Sequence, residues 1–242
     1  MGNAFRPDLL RLEPQGPRYP AAVIAAYGHK APCLHLLGNL SLLHAPGVGF
    51  CGSRHASDKG LETAADCADQ AARAGLTVVS GYAAGVDMAA HHAALRAQGS
   101  TIFVLPEGMD HFRIKKELRD DWDWDRVLVI SQFEPGAIWQ AYRAMIRNDL
   151  IVALSRAMIV IEAGATGGTL NAGLGTLKAD KPLFVAVYDH MDEAAAGNAD
   201  LLGRGGRPLA KSRTPGRANL DRVRAAVAGL ETDIRIEQPA FL

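Results

Sequence analysis

Six short apolar runs punctuate the chain: VGFC (48–51), LTVVS (76–80), STIFVL (100–105), RVLVI (126–130), AMIVIEA (157–163) and PLFVAVY (182–188). Between most of them, stretches such as 57–74, 86–97, 138–154 and 168–179 carry apolar residues at helical spacing, with polar residues between. Continuous apolar strands that alternate with helices predict a mostly parallel sheet covered on both faces. Right-handed crossovers then give a doubly wound, Rossmann-like α/β fold. Residues 1–46 read as a cap with two proline-containing stretches and one short helix. Residues 47–215 read as the core, and residues 216–242 as a C-terminal helix and tail. The expected organisation is a single domain with these two appendages.

Composition narrows the function classes. The chain has 242 residues, with 26 Lys and Arg against 26 Asp and Glu, so its formal net charge is zero with histidines neutral. A protein that coats nucleic acid by bulk charge is excluded, and any such contact must come from a local patch. Cys33, Cys51 and Cys67 form no CxxC pair, which argues against a disulfide framework or a cysteine metal site and fits a reducing, cytoplasmic setting. No apolar run is long enough to span a membrane. The first residues, MGNAFRPDLLRLEP, do not read as a signal peptide.

In an open parallel sheet, ligands bind beyond the carboxyl ends of the strands. The segments found there are Gly52-Ser53-Arg54, Ser80-Gly81 through Gly85-Val86-Asp87, Pro106-Glu107-Gly108, and Gly164 through Gly167-Gly168-Thr169. Glycines let backbone N–H groups approach an anion, and the helix that follows adds its positive end. Ser53 and Thr169 can donate hydroxyl hydrogen bonds, and Arg54 can fork onto a phosphate. Arg147-Asn148, inside a helical stretch, can hold a phosphate or a base edge. Together these residues predict a phosphate-binding edge. Neither GxGxxG after the first strand nor GxxxxGK[ST] is present, so a dinucleotide fingerprint and a P-loop are both absent.

Other polar residues read as support. Asp87 and His91 are helical i,i+4 neighbours, expected to brace the glycine loop rather than hold a metal. Glu107 and Glu162 are expected to brace backbone amides. Asp120, Asp121, Asp123 and Asp125 alternate with Trp122 and Trp124 in a connector whose tryptophans should pin it to the core. Arg204, Arg207, Lys211, Arg213, Arg217, Arg222 and Arg224 stand against one acid, Asp221, and read as a local positive track. Tyr82, Phe112 and Tyr142 are the aromatic residues expected near the edge.

The glycine loops taken with their neighbours resemble the DNA-processing protein A family (DprA, also called Smf). Gly38-Asn39, Leu42-Leu43 and Pro46 followed by Gly52-Ser53-Arg54 resemble the opening of its core. Ser80-Gly81, Ala83, Gly85-Val86-Asp87, Ala90-His91 and Ala94-Leu95 match its SG-x-A-x-G-[IV]-D-x-x-A-H-x-x-A-L block. TIFVLPEGMD, ISQFEPG, Arg147-Asn148 with Leu154-Ser155, Glu162-Ala163 with Thr166–Ala172, and Gly197-Asn198 follow in the family's order, over about residues 36–210. The resemblance implies a Rossmann-like protein that binds and protects single-stranded DNA, helps load a RecA-type recombinase, forms homodimers, and needs no catalytic residue, cofactor or metal.

Three positions depart from that pattern. Asp149 replaces the second arginine of RNR, Ala144 stands where an aromatic is usual, and Gln132 replaces a glutamate. No winged helix is read after the core. The late glycine loop also resembles the PGG-x-GT-x-x-E motif of nucleotide phosphoribohydrolases, but Ala172 stands at the glutamate position. A sensor of a nucleotide ligand would use the same edge without catalysis. The expected site comprises Gly52, Ser53, Arg54, Ser80, Gly81, Gly85, Asp87, Arg147, Asn148, Gly167, Gly168 and Thr169.

Overall fold

The structure, a computed structural model, describes residues 7–187, 195–212 and 217–229. In chain order its main sheet uses β1 (Leu10–Leu12), β2 (Leu34–Gly38), β3 (Gly47–Cys51), β4 (Thr77–Ser80), β5 (Thr101–Val104), β6 (Val127–Ser131), β7 (Ala157–Val160), β8 (Leu183–Val185) and β9 (Arg207–Pro208). Their spatial order is β1-β2-β6-β5-β4-β3-β7-β8-β9. The six predicted runs are β3 to β8, and all their pairings with one another are parallel. The doubly wound, mostly parallel α/β fold is therefore present. β10 (Ala210–Lys211) and β11 (Ala218–Asn219) form a separate two-stranded ladder.

Alternation along each strand explains how both faces are filled. Val48, Phe50, Val78, Ala157, Ile159 and Phe184 face one layer, built by α2 (Asp58–Arg73), α3 (Val86–Arg96) and α7 (Asp221–Val227). Val79, Ile102, Val104, Leu128, Ile130, Met158 and Val160 face the other, built by α1 (Ala21–Tyr27), α4 (Ala141–Leu154), α5 (Gly168–Lys178) and α6 (Ala196–Gly203). Period-2 exposure with both sides apolar is why these strands read as unbroken runs.

The helices carry recognisable local signals. Ser57 caps α2 by accepting a hydrogen bond from the Gly60 N–H at 3.0 Å, and the inward face is Ala64, Cys67, Ala68 and Ala71. Such small residues let α2 lie close against Ala90 and Ala94 of α3. The frayed carbonyls at the end of α4 are gathered by one ammonium: Lys181 Nζ donates to Val152, Ala153 and Ser155 oxygens at 2.6, 3.0 and 2.7 Å.

The N-terminal segment does more than the sequence predicts. β2 pairs antiparallel with β6, placing Leu36 opposite Ile130, and β1 pairs antiparallel with β2. HLLGN shows no alternation because Leu36 and Leu37 are buried on opposite faces, so no half-exposed strand pattern marks it. The acidic connector is pinned as expected. Phe103 stacks against His91 at 3.8 Å and against Trp122 at 5.1 Å, and Tyr82 meets its edge at 5.4 Å. Among the described residues no helix is long and apolar enough to cross a membrane, and no group of three or more His, Cys, Asp and Glu is placed to hold a metal.

Phe103 is fully buried at the centre of this ring cluster. Phe103→Ala should lower unfolding free energy by about 3–5 kcal/mol in urea titrations. A loss under about 1 kcal/mol would contradict the packing described.

Candidate functional site

The connections after β3 and β7 leave the sheet on opposite faces, which opens a crevice between the carboxyl ends of two adjacent parallel strands. This is the topological switch point of the fold, where such sheets bind ligands. A cavity of about 520 Å³ occupies it, with Gly52 and Arg54 from the first connection and Gly168 and Thr169 from the second. Asp87, Arg147 and Asn148 complete its polar wall.

Three helix N-termini converge here, and two already hold a carboxylate. At α2, Glu162 accepts hydrogen bonds from the Ser57 N–H at 2.9 Å and from the Ser57 hydroxyl, and Gly60 backs directly onto that carboxylate. At α3, Asp87 accepts from the Ala83 N–H at 3.2 Å and from the Ser80 hydroxyl at 3.0 Å. By contrast, α5 has no acidic residue in its first turn and no side-chain cap, and its Gly168 and Thr169 line the cavity. Of these three, its positive end is the one left open to an anion.

Arg147 reaches this end from α4. The residue is 5% exposed, and its Nε has no hydrogen-bond partner. Its nearest carboxylate oxygen is Asp87 Oδ2, 3.9 Å from NH1. Burial pulls the Arg147 pKa down and pushes the Asp87 pKa up, and each charge opposes the shift of the other. A guanidinium stays protonated even so. Only glycine fits at position 81, because a Cβ there would collide with the Arg147 guanidinium and the Asp87 carboxylate.

The remaining predicted residues divide into wall and support. Asn148 lines the cavity and its Nδ2 donates to the Gly168 carbonyl at 3.0 Å, tying α4 to the α5 loop. Arg54 is exposed, with its guanidinium 5.9 Å over the Trp139 ring. Ser53 shapes the turn instead of facing the cavity: its Oγ accepts from the His55 N–H at 3.0 Å and its carbonyl from the Val86 N–H at 3.2 Å. The single Ser80 hydroxyl proton is shared between the Phe50 carbonyl at 2.8 Å and Asp87 at 3.0 Å. Gly85 has φ +76° and lies against the Ser53–Arg54 backbone, where a side chain has no room. Gly167, at φ +107°, is the N-cap of α5. His91 is the predicted brace. Its Nε2 lies 2.7 Å from the Gly81 carbonyl, which can only accept, so Nε2 carries the proton and Nδ1 faces the Thr101 hydroxyl at 2.6 Å. Ala172, at the position of the phosphoribohydrolase glutamate, is buried in the core. Cys51 lines the cavity as a thiol whose pKa burial pushes up to about 12.

Several expectations are corrected. Phe112 is buried, and Tyr82 spends its hydroxyl on the Arg113 carbonyl at 2.8 Å and the Lys115 N–H at 2.9 Å while packing on Phe103. Neither presents a free ring face, whereas Tyr142 does line the cavity at 56% exposure. Trp139, which the sequence reading missed, lines it as well at 48% exposure. It precedes α4 (Ala141–Leu154), so helical spacing, which does align 142, 145 and 148, gave no signal for it. The arginine tail does not extend the cavity. Arg217 pairs with Asp66 at 2.8 Å and Asp69 at 3.5 Å on α2, Arg204 with Asp200 at 2.7 Å, and Arg224 lies 3.9 Å from Asp221. The Val227 carbonyl accepts from Arg156, at the entry of β7, so α7 lies at the opposite edge of the sheet. Arg213 and the Lys211 side chain lie outside the described residues.

Residues 12–214 match the family model of DNA recombination-mediator protein A. The chain belongs to that family. The DNA processing protein DprA of Streptococcus pneumoniae is 33% identical over 171 residues, which cover 70% of this chain and 60% of that protein. Protein Smf of Synechocystis is 33% identical over 165 residues, covering 66% of this chain and 41% of that one. This member therefore spans about two-fifths to three-fifths of the length of those relatives. The X-ray structure of the pneumococcal DprA superposes with TM-score 0.74 at 30% identity over 83% of this chain and 71% of that one. DprA of Helicobacter pylori, whose structure concerns its mode of single-stranded DNA binding, gives 0.73 at 24% identity over 93% and 96%. Of the departures from the DprA pattern, Ala144 lines the cavity, and Trp139 and Tyr142 bring rings to the same wall. Asp149 is exposed on α4 and does not line the cavity.

His91 is fully buried and its pKa is pushed down to about 3, chiefly by burial. The unfolded chain therefore binds this proton first, and stability falls as pH drops below the ordinary value of about 6.5. NMR titration should find His91 neutral with Nε2 protonated from pH 8 to pH 5. A midpoint near 6.5 would contradict the buried brace.

Proposed function

We propose that this chain is a single-stranded DNA-binding protein that acts in DNA processing and recombination without catalysing a reaction itself. A backbone phosphate binds at the N-terminus of α5, held by the Gly168 and Thr169 end of the helix, Arg147 from within and Arg54 from the rim. The observation that carries this reading is Arg147: a buried guanidinium with an unpartnered Nε, in the wall of a cavity beside the α5 N-terminus, which holds no carboxylate. Trp139 and Tyr142 lie next to it as exposed rings, and bases of an unpaired strand stack on such surfaces while a duplex keeps its bases covered. The DNA-binding mode described for the Helicobacter pylori relative supports the same reading. In the cell the protein coats incoming strands in the cytoplasm as a homodimer and helps a RecA-type recombinase to load during DNA uptake.

Fluorescence anisotropy with a labelled oligonucleotide tests the reading. The single strand should bind more tightly than its duplex. For about four to six neutralised phosphates the log–log salt slope should be near −3 to −4, at about −0.7 per phosphate. Arg147→Met should weaken binding about tenfold or more. Arg54→Ala should weaken binding to all sequences alike. Trp139→Ala should cost about 1–3 kcal/mol on single strands. Equal affinity for duplex and single strand, or a salt slope near zero, would overturn the proposal.

A further inference from the structure

The cavity wall contains a carboxylate, which is unexpected in a site for phosphate. Asp87 is buried and sits with Arg147 in the same wall, on the side of Ala83 and Gly52. Both its oxygens have a partner other than Arg147: one shares the Ser80 hydroxyl proton with the Phe50 carbonyl, and the other accepts from the Ala83 N–H. The approach to Arg147 is long, 3.9 Å, and no closer acceptor satisfies the guanidinium Nε. Two opposite charges have thus been buried together without the short, paired hydrogen bonds that normally repay their desolvation.

We propose that Asp87 is a resident counter-ion that a ligand phosphate must displace from Arg147, so that this carboxylate limits the affinity of the site. The inference rests on the phosphate reading above. In the free protein Asp87 keeps Arg147 from being an uncompensated buried charge. When a phosphate arrives, the guanidinium turns to a better acceptor, and the carboxylate is left as a like charge in the same low-dielectric wall. Arg54 and Arg147 against Asp87 leave the wall with one net positive charge, and removing the carboxylate's charge leaves two.

The geometry supplies a variant that keeps every hydrogen bond. In Asp87→Asn the amide oxygen can accept from the Ala83 N–H, and the amide nitrogen can donate to Ser80 Oγ, whose own proton then goes to the Phe50 carbonyl alone. Fold is therefore separable from charge. The groups that face Asp87 are Arg147 from α4, Arg54 after β3, Lys115 after β5 and the Cys51 thiol of β3, with His91 neutral one turn along α3. Of these, the carboxylate is the group that burial pushes toward the neutral form, and loss of its compensation by Arg147 pushes it further. A phosphodiester does not titrate on mild acidification, so the wild type should take up a proton on binding and tighten as pH falls.

Anisotropy with a labelled single-stranded oligonucleotide at low salt, from pH 8 to pH 5, on wild type and Asp87→Asn, tests this. Circular dichroism melts on both proteins establish that the variant is folded. The variant should bind at least about threefold more tightly at pH 8, and its affinity should lose the rise that the wild type shows toward pH 5. A folded variant with equal or weaker affinity, or an unchanged pH profile, would overturn the counter-ion role and leave Asp87 as a brace alone. A wild type that binds no oligonucleotide at low salt would overturn the phosphate reading and this inference with it.

Discussion

A guanidinium buried beside a carboxylate, without a close hydrogen bond between them, is the constraint around which this site is assembled. Removing a charge from water costs several kcal/mol after relaxation, and a loose ion pair recovers only part of that. Arg147 is held there because α4 is anchored at its middle and at its C-terminal end. Asn148 ties it to the α5 loop, and Lys181 collects the carbonyls of its last turn. The cost is met by the apolar layers on both faces of the sheet, and the return is a guanidinium in the cavity wall with an unpaired Nε.

The glycines take their meaning from the same constraint. Gly81 makes room for the guanidinium and the carboxylate, Gly85 lets the start of α3 pass the Ser53–Arg54 backbone, and Gly60 lets α2 close on Glu162. Asp87 and Glu162 each fill one helix end, which leaves α5 as the open one. His91 belongs to this scaffold: its proton on Nε2 fixes the Gly81 carbonyl, and its ring packs on Phe103.

Much of this was legible in the chain. The six parallel strands show because strands buried on both faces leave unbroken apolar runs, and the strand ends then show where the loops converge. Gly52, Arg54, Asp87, Arg147, Asn148, Gly168 and Thr169 do meet in one cavity. What stayed hidden depended on tertiary placement. β1 and β2 are antiparallel; β1 is three residues long, and no alternation marks β2. Ser53 and Ser80 look like ligand donors in the sequence, but neither lines the cavity: Ser53 Oγ accepts within its own turn, and the Ser80 hydroxyl lies between the Phe50 carbonyl and Asp87. The tail arginines look free until Asp66, Asp69 and Asp200 are brought to them by the fold. Trp139 is invisible to periodicity because it precedes α4, yet it stands beside Arg54 on the cavity rim.

The central claim is that a phosphate sits at the N-terminus of α5 in the grip of Arg147. A crystal structure of the protein with a short oligothymidylate tests it most directly. The account predicts a phosphate within hydrogen-bond distance of both Arg147 and the Gly168–Thr169 backbone, with a base on Trp139 or Tyr142. An oligonucleotide lying along the C-terminal arginines, with the α5 end unoccupied by phosphate, would contradict it.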